Sequence, residues 1–173
     1  MQLVNWRKID KFYLSGGWNN VPLNAQFLAY SRIKAVLDLQ FFVDGFMRQT
    51  EYEKTTAFIK GELAKYNIDY LAIQMQDTDL MATYDLDRLL EQGTNFLTEM
   101  EEKYPGKREG ILVKCAAGIS RSSTQLINHL CISRRMSYVE ALNYVRDKEF
   151  KQGIQFGASP NHYFASELKK KFK

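Results

Sequence analysis

Residues 111–124 read ILVKCAAGISRSST. Ile111, Leu112, Val113 and the aliphatic body of Lys114 favour a strand that ends at Cys115. Ala116, Ala117, Gly118, Ile119, Ser120 and Arg121 follow, and a helical pattern begins near Ser122. The pattern predicts a buried strand that turns sharply into a helix through a loop of small residues. The N–H groups of residues 116–121 and those of the helix's first turn, which lack intrahelical acceptors, then form a cradle for an anion. Cys115 sits at its base, where the same dipoles stabilise a thiolate and make it a nucleophile. Arg121 closes the loop with a planar fork suited to two oxygens of one phosphate. Thiolate, cradle and fork together describe attack on a bound phosphate ester. The plainer alternative is a core cysteine at a strand end with an unrelated surface arginine six residues on. The apolar strand before it, Gly118 within it and the amphipathic helix after it argue against that alternative.

The loop VKCAAGISRSST resembles the signature loop of the cysteine-dependent protein phosphatases, most closely the small, atypical dual-specificity phosphatases. The likeness extends to YLSGG (13–17), IKAVLDL (33–39), YLAIQMQDTD (70–79), MSYVEALNYVR (136–146) and SPNHYF (159–164), in the family's order. It implies an α/β fold of the protein tyrosine phosphatase type. It also implies hydrolysis of phosphotyrosine, and of phosphoserine and phosphothreonine, through a cysteinyl-phosphate intermediate. Ser122, just past the arginine, would stabilise the departing thiolate; its plainer role is an N-cap. The family places His before the nucleophile, and this chain has Lys114. A lysine there could donate to a loop carbonyl and bring positive charge near the sulfur, though it is longer and has no acceptor.

A phosphate ester also needs a proton for its departing oxygen, hence a carboxylic acid held over the cradle. Asp77 follows the strand expected at 70–75. In a parallel sheet it would lie at the carboxyl edge, beside the signature loop. Its position matches the acid of the dual-specificity family, and the same carboxylate would later act as base toward water. Asp79 is the alternative. Asn161 could brace the site surface or simply start a helix. His129 is expected to be a half-buried packing residue, His162 has no evident partner, and no metal or cofactor is expected. Relatives acting on inositol lipids usually carry Lys within the loop, and those acting on RNA 5′-phosphates carry His and Asn. Positions 116–120 have neither pattern. A pseudophosphatase that only captures a phosphorylated partner remains a rival of another class, although such proteins typically lose the nucleophile.

The bulk numbers describe a globular, not a disordered, chain. With 173 residues, 45% of them hydrophobic, the chain can bury one sizeable core, and residues 1–173 are expected to form a single catalytic domain. No apolar run approaches a membrane span, and the first residues show no signal-peptide core. The chain has 2 cysteines. With one of them the expected nucleophile, they argue against disulfides and for a cytoplasmic protein. Cys131 would lie roughly 13 Å along the helix, too far to bridge to Cys115. A net charge of +4 suits encounter with a phosphorylated protein substrate, and equally suits an ordinary solvated surface; at this size it does not decide between them. The closing KKKFK reads as a frayed tail, so neither nucleic acid nor membrane is expected as a partner. Nothing in the sequence sets the oligomeric state.

Along the chain, residues 3–17 read as a hairpin and 22–30 as a helix with Leu23, Phe27 and Tyr30 recurring. Residues 33–39 read as a strand covered on both faces. Residues 40–50, with Phe41, Phe42 and Phe46 around Gly45, read as a loop or short helix. A helix over 51–66 should bury Ala57, Phe58, Leu63 and Ala64, and 70–75 should be another strand. A long amphipathic helix over 84–104 carries the stripe Leu86, Leu89, Leu90, Gly93, Leu97 and Met100, with Pro105 and Gly106 stopping it. Ser137 and Glu140 form a capping box for a helix that faces Val139, Leu142 and Val145 inward. A last helix runs to about residue 170. Alternating strands and helices predict a central, mainly parallel sheet of four to five strands flanked by helices.

Overall fold

The computed structural model describes residues 4–16, 25–40, 49–78, 83–154 and 157–173. Leu23, Phe41, Phe42, Gly45, Phe46 and Asp79 therefore lie outside the described residues. Strands β1 (Val4–Ile9), β2 (Phe12–Gly16), β3 (Ile33–Asp38), β4 (Asp69–Ala72) and β5 (Gly110–Cys115) form one sheet in the order β1-β2-β5-β3-β4. Only β1 and β2, joined by a tight turn, run antiparallel; β2, β5, β3 and β4 are parallel. The helices are α1 (Ala25–Tyr30), α2 (Gln49–Ala64), α3 (Thr83–Lys103), α4 (Arg121–Ser133), α5 (Tyr138–Phe150) and α6 (His162–Lys171). The sheet of four to five strands expected from the sequence is thus five-stranded and mainly parallel.

Period-2 alternation divides the sheet's side chains between two cores. Ile111, Val113 and Cys115 of β5 face the core shared with α3, α4, α5 and α6. Leu112 faces the smaller core shared with α1 and α2. Every residue of β5 is buried, as a central parallel strand covered on both faces requires. The stripe of α3 packs inward as its spacing demands, with Leu86, Leu90, Leu97 and Met100 at 2% exposure or less. The capping box of α5 also forms: the Ser137 side chain accepts from the Glu140 amide and the Glu140 side chain accepts from the Ser137 amide.

In three helices part of the expected face turns outward, although Leu63, Leu142 and Val145 pack inward as expected. α5 buries Tyr138, Ala141, Val145 and Glu149, while Val139 is 56% exposed. Tyr138 begins an i, i+3, i+7, i+11 stripe, and Val139 lies about 100° away from it. α2 buries Ile59 and Leu63, an i, i+4 pair that leaves Phe58 and Ala64 exposed. α1 buries Ala25 and Leu28, leaving Tyr30 exposed and Phe27 edge-on to Trp6.

The β1–β2 turn is tied down by charge. Asp10 has φ 57°, in the left-handed region that Asp tolerates better than most residues. Its carboxylate accepts from Tyr144 and Arg134 and pairs with Lys148 at 2.9 Å. Burial pushes this carboxyl up, but Tyr144, Lys148 and Arg134 together hold it down at about 2. A carboxyl depressed in the folded state stabilises fully above its ordinary value of 3.8 and loses that effect as pH falls to about 2. Asp10→Asn is therefore expected to lower resistance to urea at about pH 6, and the difference from wild type should shrink steadily toward pH 2. A difference independent of pH would contradict this.

Candidate active site

β5 delivers Cys115 to the carboxyl edge of the sheet, beside Gly16 of β2 in parallel register. The chain then turns through residues 116–120 into α4. Gly118 has φ +72°, and a Cβ there would lie 2.4 Å from the Gly16 nitrogen. A Cβ on Gly16 would in turn lie 2.5 Å from the Ala117 carbonyl carbon. The loop backbone thus rests directly on the end of β2, which only two glycines permit.

This contact curls the loop over the sulfur. The Gly118 amide donates to Cys115 Sγ at 3.2 Å, and Ser122 Oγ lies 3.4 Å from the same sulfur. Ser122 sits inside the first turn of α4. The N-cap is Ser120, whose hydroxyl makes no capping bond and donates instead to Asp77 Oδ1 at 2.8 Å. Asn161 Nδ2 donates to the same oxygen at 2.7 Å, while the Asn161 amide donates to Ser120 Oγ at 3.1 Å. Asn161 Oδ1 caps α6 by accepting from the Phe164 amide, so both of its sequence readings hold. Arg121 Nη1 donates to the Met75 carbonyl at 3.1 Å, and Nε lies 3.8 Å from Asp77 Oδ2. That buried Nε makes no hydrogen bond among the described residues, as expected of a guanidinium aimed at an external oxyanion.

Cys115, Arg121, Asp77 and Ser122 are thus brought to one place, around the loop of Ala116, Ala117, Gly118, Ile119 and Ser120. The 157–161 segment closes one side through the Ser159 amide, which donates to the Ile119 carbonyl at 3.2 Å. Cys131 is a buried free thiol packed in the core, which burial pushes up to about 11. His129 is fully buried, not half-buried, because α4 is enclosed on all sides; its Nε2 meets Glu101 Oε2 at 2.8 Å and its ring stands edge-on to Phe12.

Lys114 departs from expectation. Alternation turns it to the face opposite Cys115, and its ammonium pairs with both oxygens of Asp38 at 3.1 Å instead of a loop carbonyl. The two residues are register partners on β5 and β3, with side chains at 5% and 4% exposure. Asp38 also accepts from Tyr70 Oη and the Gln40 amide, each at 3.2 Å. Sequence reasoning passed over Asp38. The available signal was a carboxylate closing a strand otherwise buried on both faces, which demands a partner.

The family model for the dual specificity phosphatase catalytic domain matches residues 20–172. The chain belongs to the dual specificity phosphatase family. The chain is 39% identical over 87 residues to MAP kinase phosphatase with leucine-rich repeats protein 3 of Dictyostelium discoideum, covering 50% of this chain and 9% of that protein. Dual specificity protein phosphatase 26 of Bos taurus is 31% identical over 101 residues, covering 58% of this chain and 42% of that protein. The chain therefore spans less than half the length of these curated relatives. Among solved structures, the Cydia pomonella PTP-2 phosphatase superposes with TM-score 0.72 at 21% identity, covering 98% of this chain and 91% of that one; this establishes the shared fold. No described helix of this family member is long and apolar enough to cross a membrane.

Removing one partner of a buried ion pair strands the other charge and costs about 3–5 kcal/mol. Lys114→Met is expected to destabilise by that order in urea unfolding. Lys114→Met/Asp38→Asn should recover more than half of it, because Asn still accepts from Tyr70 and Gln40. No recovery in the double variant would show that the pair's charges are not coupled.

Proposed function

We propose that this chain hydrolyses phosphate monoesters on proteins, phosphotyrosine together with phosphoserine and phosphothreonine, through a cysteinyl-phosphate intermediate. One observation carries the reading: a buried cysteine Sγ lies 3.2 Å from a loop amide and 3.4 Å from a hydroxyl, beneath an arginine and a carboxylate supplied by a separate loop. In this scheme the Cys115 thiolate attacks phosphorus and the ester P–O bond breaks. Asp77 transfers its proton to the departing oxygen. Oδ1 already accepts two hydrogen bonds, so the proton resides on Oδ2, the oxygen turned toward Arg121. The loop amides of residues 116–121 and the Arg121 fork hold the three phosphoryl oxygens as charge shifts onto them.

In the second half, Asp77 as carboxylate takes a proton from water, whose oxygen attacks the cysteinyl phosphorus. The S–P bond breaks, inorganic phosphate forms, and the Ser122 hydroxyl donates to the released thiolate. No described cluster of three or more His, Cys, Asp or Glu could hold a metal ion, and the scheme uses none. Asn161 and Ser120 act through Asp77 and are positioning residues. Residues 116–120 carry neither the Lys of the inositol-lipid relatives nor the His and Asn of the RNA-directed ones, which supports protein substrates.

Vanadate-sensitive release of phosphate from phosphotyrosyl and phosphothreonyl peptides tests the proposal. Wild type should turn over both, Cys115→Ser should abolish release, and Asp77→Asn should lower kcat about 10²- to 10⁴-fold, the usual contribution of a general acid. Full activity in Cys115→Ser would falsify the mechanism. Tight binding of phosphopeptide by a wild type that releases no phosphate would make the chain a capture module.

A further inference from the structure

Arg7 is the largest fully buried polar side chain among the described residues, at 1% exposure on β1, and it precedes the residues that the family model matches. Its Nε lies 2.5 Å from Glu149 Oε1, an ion pair with side chains at 1% and 2% exposure. Its Nη2 donates to the Gly118 carbonyl and lies 3.5 Å from Ser123 Oγ. Glu149 Oε2 in turn accepts from the Ala158 amide at 2.7 Å. The Arg7–Glu149 pair therefore joins β1, the signature loop, α4, α5 and, through Glu149, the segment that carries Asn161. Burial draws this guanidinium below its usual value, while Glu149 and, more weakly, the Cys115 sulfur draw it back.

The consequence lies in one peptide plane. The chain has no cis bonds among the described residues, and in a trans peptide the carbonyl of one residue opposes the N–H of the next. The Gly118 carbonyl points inward to Arg7, so the Ile119 N–H points outward, to the side from which a phosphate arrives. The preceding amide, Gly118 N–H, donates to Cys115 Sγ. Glycine at position 118 has little intrinsic preference to hold this orientation. Without an inward partner for its oxygen, the peptide could rotate and present a carbonyl to the phosphate, a repulsive dipole in place of a donor.

We propose that Arg7 is a positioning residue of the phosphate cradle: it locks the Gly118–Ile119 peptide with its N–H facing substrate, and Glu149 locks Arg7. The inference rests on the phosphatase reading above. It gives the β1–β2 hairpin a part in the chemistry although no atom of Arg7 reaches the substrate.

Wild type, Arg7→Lys, Arg7→Met and Arg7→Met/Glu149→Met are compared for phosphopeptide turnover, orthovanadate inhibition and melting temperature. The double variant removes both buried charges together and preserves folding if Arg7→Met alone loses it. Loss of one oxyanion donor is expected to lower kcat about 10²-fold or more, with vanadate inhibition weakened in parallel and Arg7→Lys restoring part of both. A purely structural role would reduce the folded fraction and leave the vanadate inhibition constant of the remaining activity unchanged. A folded Arg7→Met or double variant with wild-type kcat and wild-type vanadate inhibition overturns the inference alone. A wild type that neither releases phosphate nor responds to vanadate overturns the phosphatase reading, and this inference with it.

Discussion

The site depends on a single close approach of backbone to backbone. The turn at Gly118 rests on the end of β2 at Gly16, and any side chain at either position would push the loop off that strand end. β2 and β5 are parallel neighbours, so the sheet itself fixes where the loop must land. Once the loop is seated there, the Gly118 amide reaches the sulfur, the helix begins at Arg121, and Ser122 falls within reach of Cys115. The antiparallel β1–β2 hairpin, which could look like a peripheral addition to a parallel sheet, supplies both the floor of the loop and the arginine beneath it.

Around that floor the carboxyl edge is organised by borrowed hydroxyls and amides. Ser120 would ordinarily cap α4, yet its hydroxyl turns to Asp77. Asn161 caps α6 with its oxygen and holds Asp77 with its nitrogen. Three segments distant in sequence, at 75–77, 115–122 and 157–161, thereby share one hydrogen-bond network. Such a network fixes a carboxylate more narrowly than a surface loop could alone, which matters for a group proposed to hand a proton to a single oxygen.

How much of this was legible in the sequence follows from the range of the forces involved. The β5–loop–α4 unit was readable because its pattern is local: an apolar run, small residues, then an amphipathic helix. The α3 stripe and the α5 capping box were readable for the same reason. Asp77 was placed by combining a strand end with the parallel topology. The faces of α1, α2 and α5 were read only in part because each helix offers two overlapping apolar stripes, and the sheet beneath decides between them; Val139 lost to Tyr138 by one residue, while Leu63 and Val145 face inward as expected. Lys114 was misread for want of the alternation rule, since the residue before a strand-borne Cys115 must point to the other face. Arg7 and Glu149 left no local trace: their pairing spans 142 positions and is set by the sheet order.

The two buried ion pairs sharpen the electrostatics of the loop. Lys114 is matched by Asp38 on one face of β5, and Arg7 by Glu149 beneath the other. Each pair is nearly dry, so each cation's field is largely cancelled within a few ångströms by its own carboxylate. Neither is therefore the main attraction for a phosphate dianion. In the proposed mechanism that attraction falls to directed groups: the loop amides, the first turn of α4 and Arg121, whose Nε keeps 3.8 Å from Asp77 Oδ2. If Asp77 carries a proton as the ester binds, Arg121 loses even this partial counter-charge at the moment the phosphoryl oxygens need it. The proposed acid and the proposed clamp would then be coupled by one contact, because a carboxylate beside Arg121 competes with the phosphoryl oxygens for the same guanidinium.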